Sequence, residues 1–368
     1  MQSTRSATSE SQATSPLRIW ALHLLCFVLP LATLAFTLTG PHSWWVALLF
    51  LLPLLGSVVA DVWSPNEQRQ PTPDLAKWPF DAVLYVLVAL QLANIVLTAR
   101  LISMSGLFSV DALVAILLVG INSGYSAIVV AHELIHRPEP HMQLLGRLLL
   151  CTTMYEHFST EHVRGHHKRL GTPDDPATAR FGETFWDFWR RTIPAQFRSA
   201  WRLESKRLGN AEMKLLDRRM MRHRVLQGVI AESTLALALF AVFGAAAFLI
   251  HLLQARQAVM ALEAVNYFEH WGIERLPGRV QPVDSWDTES WFSLYTLVGL
   301  TRHADHHAYA SRPYQQLRHF DESPKLPTGY FGMVTLVLLN NPRARRLLSR
   351  ELERRKLGPF RESLAAAA

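Results

Sequence analysis

The stretch ALVAILLVGINSGYSAIVVAHELIH, residues 112–136, decides the fold. Its first 20 residues contain no Asp, Glu, Lys or Arg. As a helix rising ~1.5 Å per residue they cross a ~30 Å hydrocarbon layer. Four further runs share this character: residues 19–38, 44–60, 82–99 and 233–253. After a polar bend around Gln254, Arg256 and Gln257, a weaker apolar segment, 258–268, completes what reads as a sixth, returning span, 255–268. The chain is therefore expected to be an all-α polytopic membrane protein with about six transmembrane helices. The 49% hydrophobic content of the 368 residues lies in the ordinary soluble range, so clustering rather than the average excludes a soluble protein.

What lies between the runs is basic. From Arg137 to Arg224 there are 17 Lys or Arg against 10 Asp or Glu. Basic segments stay on the cytoplasmic side, so the segments 132–224 and 269–342 and a basic tail, 343–368, are expected to face the cytoplasm from the inner membrane. Residues 1–18, rich in Ser, Thr and Gln, read as a disordered N-terminus ahead of a retained first span. The apolar stretches 291–300 and 331–339 are too short to cross.

The quoted stretch ends on two histidines four residues apart, and the pattern recurs. Of 16 histidines, nine fall in four groups: His132 and His136; His162, His166 and His167; His270; and His303, His306 and His307. Residues three or four apart share a helix face and can aim imidazoles at a common centre, which is a metal-ligand pattern. Imidazole binds iron, copper, zinc or nickel, so spacing alone names no metal. Nine ligands exceed what one ion holds, and two metals are the natural count. His23, His42, His141, His157, His223, His251 and His319 lack such company and read as structural.

Each group carries an adjacent carboxylate: Glu133, Glu161, Glu269 and Asp305. A residue next to a ligand points about 100° away on a helix, so each is expected to hydrogen-bond a ligand from another group and fix its tautomer. On the face of His132, Asn122, Tyr125 and Val129 are candidates to line a channel through the spans.

At these residues the chain resembles the integral-membrane alkane monooxygenases, non-haem di-iron hydroxylases related to membrane fatty-acid desaturases. The boxes read HELIH (132–136), EHVRGHH (161–167) and RHADHH (302–307), with NYFEHWG (266–272) matching the family's signature around an HYG tripeptide. DPATARFGE (175–183), HHAYASRPYQQLRHF (306–320) and LPTGY (326–330) match as well. The resemblance implies two irons held by the nine histidines. It also implies dioxygen reduction with electrons from a rubredoxin or ferredoxin and its reductase, and oxygen insertion at the terminal methyl of a medium-chain alkane that enters from membrane lipid. Trp271 replaces the tyrosine of HYG, Ala304 a common serine, and Trp286-Asp287 a frequent Trp-Asn. None is a presumed ligand, so the departures bear on substrate, and Trp271 becomes a candidate channel residue.

Composition agrees with an external donor. Two cysteines, Cys26 and Cys151, are too few for an iron–sulfur or rubredoxin centre, and no glycine-rich dinucleotide fingerprint occurs. Arg190, Arg191, Arg218 and Arg219 form a plausible dock for an acidic carrier. Alkyl-aromatic side chains, or fatty-acid hydroxylation or desaturation, are the alternative substrates and reactions. Against desaturation, EHVRGHH and the separate NYFEHWG fit the hydroxylases better. A metal transporter would line mid-bilayer with histidines, whereas here they lie at helix ends. No nucleic-acid partner is expected, because a basic face beside anionic lipid accounts for the charge of +7.

Overall fold

The computed structural model describes residues 15–361. Among them the chain is helical, and the only β pairing is two isolated bridges, Asn66 with Ser290 and Asp287 with Lys325. Helices α1 (Pro16–Thr39), α2 (Trp44–Val62), α3 (Lys77–Ser105) and α4 (Val110–Ile135) are each apolar and long enough to cross a membrane. The N-terminus expected to be disordered, 1–18, overlaps helix α1 at residues 16–18. Residues 1–14 lie outside the described range, but Ser15 caps α1 through the Arg18 amide and Pro16 supplies its first turn.

Helix α4 runs through the centre, and the others wrap it. Its small residues decide this: a Cβ on Gly120 would fall 2.6 Å from Gln257 Cβ, and one on Gly124 would fall 3.3 Å from Ala261 Cβ. Glycine thus lets two spans approach where lipid supplies no hydrophobic drive between them. Polar side chains fasten α3 to α4 at the same depth, as Gln91 donates to Ser123 Oγ (2.9 Å) and accepts from Ser126 Oγ (2.6 Å).

The largest departure from the sequence reading concerns the last spans. Residues Arg224–His270 form one 47-residue helical run, α7, broken at Gly244, where φ is 84° and ψ −179°. A straight helix would hold Arg224 and Glu263 about 60 Å apart. Yet the Arg224 amide donates to Glu204 (3.0 Å) and Glu263 accepts from Gln196 (2.9 Å), two residues close together on one helix. The run therefore folds back at Gly244, and the Phe240 and Phe248 rings meet across the turn at 5.9 Å. The reversal falls ten residues before the polar bend expected at Gln254, Arg256 and Gln257. Gln254 is buried in the returning half, donating to the Thr152 carbonyl at 3.1 Å. The physical reason is backbone freedom, since this φ, ψ combination is essentially confined to glycine. Gly244→Ala is expected to cost about 1–3 kcal/mol, read as a lower midpoint of thermal unfolding in detergent.

Between the spans lie α5 (Pro140–Cys151) and α6 (Phe185–Arg207). After α7 come α8 (His303–Ala308), α9 (Tyr330–Leu339) and α10 (Asn341–Arg355). The expected basic tail is largely α10, which buries Ala344, Leu348 and Leu352 on one face and turns its arginines outward.

Candidate metal centre

Four chain segments converge at one end of the bundle. The first arrives through α4, which widens into π-helical turns at Ala115–Val119 and Ser123–Val129 before His132. Such turns frequently mark functional sites. The second is a short helix, Phe158–Glu161, continued by a π-helical turn, His162–His166, and by His167–Arg169. The third is the C-terminus of α7 at His270, and the fourth is α8.

The nine histidines separate into two groups. His132, His136, His162 and His306 place candidate ligand atoms within 4.8 Å of one another, and so do His166, His270, His303 and His307. His167 joins the first, its Nε2 standing 3.0 Å from His162 Nε2 and 3.1 Å from His306 Nε2. In the second, His303 Nε2 is 2.9 Å from His307 Nε2 and 3.2 Å from His270 Nε2, which is 3.1 Å from His166 Nε2. The wide turn governs the sorting. On an α-helix His162 would share its face with His166, but the i→i+5 turn pairs it with His167 and sends His166 to the other group.

The arrangement fits two metal ions. Five of the Nε2 pairs stand 2.9–3.2 Å apart, close enough for the nitrogens of each group to share one ion. The Nε2 atoms of His132 and His136 are buried and lack any hydrogen-bond partner. Burial, reinforced by neighbouring imidazoles, pushes the pKa of His162, His167, His303, His306 and His307 well below the usual histidine value. They are therefore neutral, the form that binds metal.

The carboxylates divide differently from expectation. Glu133 pairs with Arg137 (2.7 Å) and accepts from the Tyr314 amide, Glu161 pairs with Arg169, and Asp305 pairs with Arg312 (2.6 Å) and Arg318 (3.0 Å). None of the three meets an imidazole. Each points away from its neighbouring ligand, as expected, but towards arginines outside the centre. Glu269 does reach a candidate ligand, with Oε2 3.2 Å from His303 Nε2 and Oε1 accepting from Tyr330 Oη at 2.6 Å. That Nε2 is the nitrogen His303 turns to the centre, so Glu269 stands beside the imidazoles rather than behind them.

Behind a candidate ligand, His166, stands Asp175, to which the sequence assigned no role. Its Oδ2 stands 2.9 Å from His166 Nδ1 and accepts from Thr178 Oγ1 at 2.6 Å. Burial alone would raise its pKa, but His166 and these hydrogen bonds bring it below the usual carboxylate value. The available signal was its place as the first residue of DPATARFGE, nine positions after His166.

An apolar cavity of about 440 Å³ reaches the centre from among the spans. It touches His132, His162 and His303 at one end, with Glu269 and Tyr330 beside them, and accompanies α4 back to Leu117. Tyr125 and Val129 line it, whereas Asn122 and Trp271 do not. Asn122 faces α3 at Gln91 (3.4 Å), because π-helical turns advance less per residue than the 100° assumed. Trp271 is buried against Phe181 and donates from its indole to the Glu183 carbonyl at 3.2 Å, which turns it away from the cavity. The seven remaining histidines lie outside both groups: His141 bonds Tyr85 Oη (2.9 Å), and His319 stands 3.1 Å from Glu289.

Known proteins give the same grouping. The profile of the fatty acid desaturase family matches residues 110–336. Alkane 1-monooxygenase 1 of Pseudomonas aeruginosa is 36% identical over 80% of this chain and 78% of its own. An alkane 1-monooxygenase of Acinetobacter baylyi is 33% identical over 81% and 73%, and alkane 1-monooxygenase 1 of Alcanivorax borkumensis is 33% identical over 89% and 83%. A profile spanning more than half of the chain and relatives aligned over four-fifths of it lead to one conclusion: this chain belongs to the membrane alkane 1-monooxygenases of the fatty acid desaturase family, and is an oxidoreductase.

Proposed function

We propose that the protein hydroxylates the terminal methyl of medium-chain n-alkanes, using dioxygen and two electrons from a separate rubredoxin or ferredoxin and its reductase. Two non-haem irons, held by the nine histidines, act at the cytoplasmic face of the inner membrane. The observation that carries this reading is the cavity: it is apolar, it lies among the spans, and it ends at imidazoles of both groups. A substrate without a polar handle partitions into lipid and enters such a cavity end-on, so its terminal methyl is what the centre meets. Iron bound there supplies the redox chemistry that activates dioxygen and oxidises a strong C–H bond. The chain's own residues do the rest. Burial keeps the imidazoles of His162, His167, His303, His306 and His307 neutral, Asp175 meets His166 at Nδ1 so that Nε2 is free to ligate, and the Tyr330–Glu269 pair closes the cavity beside His303.

Iron analysis of the purified protein beside an octane oxidation assay tests the reading directly. About two irons per chain and 1-octanol are expected, whereas a zinc-loaded protein, or a preference for xylene or a fatty acyl chain over every alkane, overturns it. NADH alone is expected to support no turnover, because both cysteines are buried and free. Adding the carrier and its reductase should restore turnover, and product formed without them would refute the external donor. Asp175→Asn is expected to weaken metal retention about 10–100-fold, measured by chelator competition.

A further inference from the structure

Helix α6 and the loop after His167 enclose a polar pocket of about 440 Å³ on the surface, separate from the apolar cavity. Arg198, Arg202 and Lys206 stand four residues apart along one face of α6, and Arg180 reaches the pocket from the loop. All four are exposed, and among the described residues none forms an ion pair. Like charges at this spacing repel one another. Their neighbours are treated otherwise. Arg190 pairs with Asp187, Arg191 with Glu183, Arg164 and Arg207 with Glu204, and Arg219 with Asp217. Three arginines of the dock expected at Arg190, Arg191, Arg218 and Arg219 are thus paired and Arg218 is not, whereas Arg198, Arg202 and Lys206 stand together without a counter-charge further along α6. Asp174, exposed at the rim, is the one carboxylate there not already committed.

The floor of this pocket includes Asp175. From its carboxylate the path to the metal centre is a single imidazole, since Oδ2 is 2.9 Å from His166 Nδ1 and His166 Nε2 is 3.1 Å from His270 Nε2. Half-buried His136 and His167 bring the first group near the surface too, but the arginines on that side are bound to Glu133 and Asp305.

We propose that this pocket is where an acidic electron-carrier protein docks, its carboxylates meeting Arg180, Arg198, Arg202 and Lys206, and that electrons enter the second histidine group through Asp175 and His166. This rests on the reading above that the electrons come from a separate protein. Each reduced carrier gives up one electron and leaves oxidised. Two encounters, with two protons from water, reduce one atom of dioxygen to water as the other enters the C–H bond. Charge pairing of this kind speeds encounter and weakens as salt rises.

The test uses the full-length protein in zwitterionic-lipid nanodiscs and an acidic rubredoxin or ferredoxin. The triple variant Arg198→Glu, Arg202→Glu, Lys206→Glu is expected to raise the Kd for the carrier at low salt at least about tenfold and to flatten its salt dependence. Iron content and dithionite-driven octane turnover should stay near wild type. The milder pair Arg198→Gln, Arg202→Gln should move the Kd in the same direction, and lysines placed in the carrier's acidic patch should restore binding to the triple variant. An unchanged Kd in both variants overturns the dock. So does a loss confined to binding of phosphatidylglycerol vesicles, which would make the pocket a lipid headgroup contact. If the wild-type protein makes no alcohol even with dithionite, the monooxygenase reading has failed instead.

Discussion

Replacing His162 by alanine is expected to abolish alkane oxidation, lowering turnover by more than about 100-fold, and to reduce iron from about two per chain to about one or fewer. His162 opens the π-helical turn and is the residue through which that turn reaches the first group, its Nε2 3.0 Å from His167 Nε2. Removing the ring leaves His132, His136, His167 and His306 around an open position lined by buried groups. His307→Ala should act alike through the second group, where His307 Nε2 is 2.9 Å from His303 Nε2. His141→Ala and His319→Ala are the controls, because those rings bond Tyr85 and Glu289 away from the centre and their loss should leave the metal in place. Metal analysis beside product chromatography reads all four. Two irons with full turnover in His162→Ala would remove it from the ligand set.

The second large effect concerns chain length. Ala261 lines the cavity nine residues before His270, about 13 Å up the returning half of α7. Ala261→Phe sets a ring across the path between α7 and Gly124 of α4, where the two helices already approach closely. A short alkane still fits below the ring, while a long one loses the burial of every methylene beyond it. At about 0.8 kcal/mol per methylene, each lost position is worth roughly fourfold, so five would shift the preference by about a thousandfold. The measurement is kcat/KM across a series from hexane to hexadecane with iron content monitored in parallel. The same chain-length profile in the variant and the wild type would mean that substrate does not occupy this cavity.

The histidine centre shows where local pattern carries information and where it stops. His132 and His136, and His303 and His307, were readable as pairs because four residues make about one turn of an α-helix. Their division between two groups was not readable, since the second box is wound as a π-helix and pairs positions five apart. The carboxylates follow the same logic. The 100° offset turned Glu133, Glu161 and Asp305 away from their neighbouring histidines, as expected, but the partner each met was an arginine four to thirteen positions downstream rather than an imidazole of another group. Asp175 lay unassigned because a carboxylate nine residues downstream has no fixed geometric relation to a histidine until the intervening loop is folded.

By itself, the sequence determined that the chain crosses a membrane as helices and that histidines gather at their ends. Both follow from short-range physics: apolar length against the thickness of hydrocarbon, and helical periodicity. Only the tertiary structure decided that the chain reverses at Gly244, that Trp271 and Asn122 face away from the apolar cavity, and which arginines of the basic region remain without a counter-charge. The reversal turns on a single φ, ψ choice with no apolar or polar signature. Asn122 is turned by the π-helical winding of α4, Trp271 by its packing against the distant Phe181 and Glu183, and the arginines by which nearby carboxylates the fold brings within reach, none of which helical periodicity names.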